Sequence, residues 1–199
     1  MRKVEWIALF ISLAGVAAAF LVAVMVFEAV PHVDDGMAYV WQANVVAHGQ
    51  MTAPTPPEPK SMFVPFVVDA NGHRSAKYPP GWPVVLALGV LLGLRTWVNP
   101  VLGGLAVWLT FRLGQKICNS LTGVLAALLT VTSPFFLIIS GSLDSNAWSL
   151  VLSIIFVLDW LDTFPLGTQP ESTSKKLIPA WLTVSLAGLS LGLLVLYVH

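Results

Sequence analysis

Three short stretches hold the residue types that chemistry needs. "VPHVDDGMAY", residues 30–39, sets two carboxylates side by side, Asp34 and Asp35, directly after an apolar run. At a membrane interface, partial desolvation and mutual repulsion raise the pKa of one member of such a pair and make it a base. The same two residues also suit the N-cap of a following helix. "AKYPPGWP", residues 76–83, puts Lys77 ahead of a double proline. The prolines hold the residues before them extended and suit a first helical turn, so Lys77 stands just before a helix N-terminus, where anions are favoured. "SGSLDSNAW", residues 140–148, carries Asp144, which is either one more helix start or a further acid beside the other two. His32, Asp34, Asp35 and His48 can be drawn as a metal set, but no zinc spacing is met. Cys118 is the single cysteine, which excludes an intrachain disulfide and a multi-thiolate metal site.

Which of these groups can meet depends on the elements that carry them. Of the 199 residues 56% are apolar and only 10% charged, far from the ~25% charge of a soluble domain. The chain is therefore expected to be an integral membrane protein. Ten basic residues balance ten acidic ones, which provides no basic surface for nucleic acid. Apolar runs at 6–27, 97–114, 121–141, 147–161 and 179–198 are the candidate spans. Met1-Arg2-Lys3 resembles the start of a signal peptide, yet the run behind it is too long for one and lacks a clear cleavage site, so it reads as an uncleaved first helix.

A shorter apolar run at 82–94 would reach only about 20 Å as a helix. Leaving it outside the bilayer puts Arg2, Lys3, Arg112, Lys116, Lys175 and Lys176 all on the cytoplasmic side, as the positive-inside rule asks. The expectation is then five spans, a cytoplasmic N-terminus and one large outer segment over 28–95. Within that segment 34–50 has apolar residues at helical spacing, "APTPPEP" reads as a stiff connector, and "MFVPFVVDANGHRSAKY" reads as two extended pieces around an Asn71-Gly72 turn. Trp41, Trp82, Trp97 and Trp148 fall where an aromatic belt would place them. The linker 163–178 reads as a cytoplasmic loop.

The order of these features resembles the GT-C superfamily of polyprenyl-phosphate-dependent glycosyltransferases. The features are a first span, "DDGMAY", "AHGQM", "KYPPGWP", a span ending "FRLGQKI", a span ending "SPFFLIISGSL" and an acid after it. Within it the chain is most similar to the branch of protein O-mannosyltransferases and lipid A aminoarabinose transferases. The resemblance implies an all-α membrane bundle of about five helices with juxtamembrane helices in the first outer loop, forming a single module over 1–199. It implies a catalytic carboxylate at Asp34 or Asp35 and a phosphate contact at Lys77. Because Tyr78 separates Lys77 from the prolines, Arg74 and Tyr78 stand as further candidates for that contact. Asp144 is the candidate second acidic site, and a divalent metal, magnesium or manganese, is left open. The implied partners are a polyprenyl-phosphate-linked sugar, an acceptor of unknown kind and the bilayer. The implied location is the plasma (inner) membrane, multi-pass, with the site outside. Members of these families are about twice this length or more, so the chain is expected to hold their N-terminal portion, with the C-terminal half absent.

Two other classes stay open. A membrane assembly protein, or an inactive truncated relative of the enzymes, has the same composition and needs no paired carboxylates. A transporter needs ionisable groups or broken helices at the midplane, and these runs carry their charges at the ends.

Overall fold

The computed structural model describes residues 3–164 and Gly188. The chain is mostly helical: α1 Lys3–Met25, α2 Asp34–Ala47, α3 Gly81–Leu91, α4 Val98–Ile117, α5 Ser120–Thr132, α6 Pro134–Gly141 and α7 Asn146–Thr163. Three short strands lie between α2 and α3: β1 Ala53–Pro54, β2 Val67–Ala70 and β3 His73–Ala76. Residues 165–187 and 189–199 lie outside the described residues, and with them the expected span at 179–198 and nearly all of the linker at 163–178.

Helices α1 and α7 are long and apolar enough to cross a membrane. The run at 121–141, expected to be one span, is two helices, α5 and α6, bent by 68°. Pro134 is the reason: it cannot donate to the preceding turn and it holds Ser133 extended (φ −73°, ψ 117°), from where the Ser133 hydroxyl caps α6. Counted as one broken span, the pair makes a third crossing. Helix α4 has 20 residues but carries Asn99, Arg112 and Lys116, and is not apolar enough to count by composition. It packs against α1, α5, α6 and α7, so protein rather than lipid covers much of its surface. Helix α3 has 11 residues, about 16 Å, too short to cross, and packs on α2.

In a bilayer, helices gain little from burying apolar surface and associate through close van der Waals contact between small residues. Helix α1 shows this along its buried stripe of Ala8, Ser12, Gly15, Ala19 and Ala23. A Cβ on Gly104 of α4 would overlap Val16 Cγ2 and lie 3.0 Å from the Ser12 carbonyl; one on Gly141 of α6 would lie 3.0 Å from that of Ala19. Ala8, Ala106, Val107, Phe111, Ala127, Phe136 and Val151 form the core that joins α1 and α4–α7. Outside it, Phe10, Leu13, Leu129 and Phe135 are exposed, as lipid-facing residues are.

A second core, of Tyr39, Ala43, Trp82, Leu86, Ala87 and Leu143, joins α2 and α3 to the α6–α7 loop. Beside these helices, the two extended pieces expected around Asn71-Gly72 form a small antiparallel sheet with Ala53–Pro54, in the order β1-β3-β2. Its β2–β3 turn is the Asn71-Gly72 signal, with φ of 53° and 79°. Ala53–Pro54 of the expected connector pairs with β3 at an edge, where a proline is tolerated. Gln42 ties α2 to the sheet: its Nε2 donates to the Met51 carbonyl (2.7 Å) and its Oε1 accepts from Ala76 N–H (2.8 Å). Gly104→Ala should therefore lower stability by about 1–3 kcal/mol, by forcing α1 away from α4. Thermal unfolding in detergent is the check, and an unchanged midpoint would refute the close approach.

Candidate functional site

Asp34 and Asp35 both lie in the first turn of α2, exposed. Neither caps it: the N-cap is Val33, with no side-chain hydrogen bond. Negative charge in a first turn still complements the helix dipole. The two acids differ in what they face. Tyr78 Oη donates to Asp35 Oδ1 at 2.5 Å, and the charge of Asp35 acts on Asp144.

Asp144 comes to α2 from the loop between α6 and α7, and Gly36 lets it approach. A Cβ on Gly36 would lie 3.0 Å from Asp144 Oδ1 and 3.1 Å from Pro31 Cβ. Helix α7 starts from Ser145, so Asp144 is not its N-cap. Burial pushes the Asp144 carboxyl above its ordinary value of 3.8 and the neighbouring Asp35 charge adds to this, against the opposing hydrogen bond of Ser142. A cavity of about 160 Å³ opens beside it, bordered by Phe27, Pro31, His32, Ile138 and Ser142.

Two side chains that sequence reasoning did not assign to the site hold this loop. Asn99, in the first turn of α4, donates through Nδ2 to the carbonyls of Ser142 (2.6 Å) and Asp144 (2.7 Å). Trp82 Nε1 donates to the carbonyl between them, that of Leu143, at 3.2 Å. Trp82 is 0% exposed, which removes it from the expected aromatic belt. Its position two residues after a double proline was the only available signal.

The cationic side of the site is Lys77. Its Nζ lies 4.7 Å from the Phe66 ring centre and 5.5 Å from that of Tyr78, and its N–H donates to the Phe66 carbonyl (2.8 Å). Among the described residues no carboxylate forms an ion pair with it. Tyr78 also packs on Tyr39, ring centres 4.9 Å apart, and Ser145 Oγ approaches Tyr39 Oη at 3.5 Å. The structure thus brings Asp35, Tyr78, Lys77 and Asp144 to one end of the bundle.

Arg74 does not join them. It is buried and donates to both oxygens of Asp69 (2.8 Å each) and to the carbonyls of Met62 (2.8 Å) and Pro59 (3.3 Å). That fork uses most of a guanidinium's donors and pins the 59–69 loop to β3, which corrects its place as a phosphate candidate. The hydrogen bond from Arg74 holds Asp69 below the ordinary carboxylate value. His32 and His48 bond their own local carbonyls, and among the described residues no three histidines, cysteines or acids gather as a metal site.

Compared with known families, residues 88–197 match the one described as "Oligosaccharyl transferase STT3, N-terminal". The match begins within α3 and includes Asn99 and Asp144, but not Asp35, Lys77 or Tyr78. It is a GT-C family, in line with the expected superfamily and without distinguishing the branch. No curated protein and no solved structure matches the chain.

The raised carboxyl of Asp144 has a consequence for stability. The folded state binds a proton that the unfolded chain releases near pH 3.8, so stability falls as pH rises from there through the higher folded pKa. Asp144→Asn should flatten that fall in a series of thermal midpoints against pH. A fall that persists unchanged in the variant would assign it to another group.

Proposed function

Since the chain belongs to the family of the oligosaccharyl transferase STT3 N-terminal domain, whose activity is that of a membrane glycosyltransferase, we infer that it takes part in moving a sugar from a polyprenyl-phosphate donor to an acceptor. The observation that carries this reading is the convergence of one carboxylate pair and one lysine at a single end of the bundle, with apolar helices beneath. A donor whose lipid tail lies in the bilayer presents its phosphate and sugar at that level. Among the superfamily's branches, "DDGMAY" and "KYPPGWP" favour the protein O-mannosyltransferase and aminoarabinose transferase side.

The chemistry asks for little. The leaving group is a phosphate monoester, so the needs are a cation at the phosphate and a base for the acceptor. Lys77 faces the phosphate. The acceptor's heteroatom attacks the anomeric carbon from the side opposite the phosphate, the carbon–oxygen bond to the phosphate breaks, and the polyprenyl phosphate leaves with the electron pair. Asp35 takes the acceptor's proton. The hydrogen bond from Tyr78 fixes Oδ1 of Asp35 and leaves Oδ2 for that proton. Asp34, one residue earlier and in the same turn, is the alternative base. The displacement inverts the anomeric carbon.

Asp35 and Asp144 also fit a divalent cation, magnesium or manganese. Both offer oxygen ligands, and magnesium is commonly held by one or two carboxylates together with substrate phosphates. Such an ion would neutralise charge on the donor phosphate. Asn99 and Trp82 act as positioning residues, since they hold the loop that brings Asp144 to α2.

With a polyprenyl-phosphate sugar as donor and the full chain in nanodiscs, Lys77→Ala should weaken donor binding about tenfold, as loss of a charge-assisted contact does. Asp35→Asn should retain the donor and lose sugar transfer by at least about a hundredfold. Donor binding that ignores Lys77 would end the phosphate assignment, and transfer that survives Asp35→Asn would pass the base to Asp34.

The two ends of the bundle should also face opposite sides of the membrane, with the site outside. Cys118 is exposed at the far end of α4, and Asn146 is exposed at the start of α7. An impermeant thiol reagent applied outside should label Asn146→Cys in a Cys118→Ser background, and should reach Cys118 itself only after permeabilisation. Labelling of both from one side would overturn this topology.

A further inference from the structure

The far end of the bundle holds a second polar site. Helices α4 and α7 run parallel: Asn99 at the start of α4 meets the loop that opens α7, and Lys116 at its end meets Leu158 of α7. From Asn99 to Lys116 is 17 residues, about 26 Å of helix, close to the thickness of a bilayer's hydrocarbon. Between the two helix ends lies a cavity of about 540 Å³, lined by Trp108, Arg112, Lys116, Leu158, Asp159 and Asp162.

Its charges are not all used by the protein. Lys116 pairs with Asp162 and donates to the Leu158 carbonyl at 3.1 Å. Among the described residues Arg112 forms no ion pair, and Asp159 Oδ2 is buried with no hydrogen-bond donor. A buried carboxylate oxygen without a donor is costly, and here it borders a cavity. What remains is one cation and one acceptor in a site whose two basic and two acidic residues balance. A ligand that answers both carries an anion and an N–H cation and is neutral as a whole. Trp160, about half exposed and packed on Phe164 at 4.5 Å between ring centres, places this end at headgroup level.

We propose that this cavity binds the headgroup of phosphatidylethanolamine, with the phosphate at Arg112 and the ammonium at Asp159. A guanidinium suits a phosphate bidentately. The primary ammonium supplies the N–H that Asp159 Oδ2 lacks, which a quaternary choline cannot. The site is independent of the sugar-transfer reading, because it lies at the other end of the helices.

The test starts from the unaltered protein. The full chain, delipidated and titrated with phosphatidylethanolamine, its mono- and dimethylated forms and phosphatidylcholine of the same acyl chains, is read by native mass spectrometry. Retention should fall along the series, by about tenfold between the ends, as for a lost charge-assisted hydrogen bond. Asp159→Asn should remove most of that selectivity, and Arg112→Gln should weaken every member. Equal retention of the ethanolamine and choline lipids would overturn the proposal, as would phosphatidylglycerol outcompeting both. Displacement by soluble glycerophosphoethanolamine at equal concentration would overturn the lipid as the source of the headgroup.

Discussion

The amide of Asn99 is the contact on which the site end of this molecule depends. Where α6 stops and α7 has yet to begin, the carbonyls of Ser142, Leu143 and Asp144 lose their helical partners in surroundings that are largely apolar. Unpaired, each would cost about 1–3 kcal/mol. Asn99 takes two of them and the Trp82 indole takes the third. With its backbone satisfied, the loop can be buried, and Asp144 can stay beside α2 at a place where its charge is disfavoured. Helices α3, α4, α6 and α7 meet in this one set of hydrogen bonds.

Packing beneath it follows the rules of lipid rather than water. Gly104 of α4 and Gly141 of α6 let these helices approach α1 to the distance at which a methyl group would collide. Gly36 plays the same part at the site, where it leaves room for the Asp144 carboxylate against the first turn of α2. The segment between α1 and α3 has a different economy: Gln42, the three-stranded sheet and the Arg74–Asp69 pair hold it through polar contacts. That frame holds Tyr78 against Asp35 of α2 and Lys77 over the rings of Phe66 and Tyr78.

Among the described residues the helices carry their charges at the two ends of the bundle, which is what hydrocarbon between them requires. One end gathers Asp35, Asp144 and Lys77. The other gathers Arg112, Lys116, Asp159 and Asp162 around a cavity. Their separation along α4 and α7 means that each can be altered without touching the other.

Much of the local structure was legible in the residues themselves. Composition alone places the chain in a membrane, since 56% apolar residues leave no other solvent for it. The Asn71-Gly72 turn, the short helix after the double proline and the approximate bounds of α1, α2, α4 and α7 follow from local preferences of a few neighbouring residues. The break at Pro134 was legible too, yet a run of apolar residues masked it, because hydropathy does not register a missing N–H. The partners were not legible. Tyr78 meets Asp35 across 43 residues, Asn99 meets Asp144 across 45, and Ser145 meets Tyr39 across 106. Nor could composition tell that Trp82 is buried or that Arg74 is already occupied by Asp69, five residues away on the adjacent strand. Local sequence determines which conformations a segment can adopt. Only the tertiary structure decides which polar groups lose water together and must therefore satisfy one another.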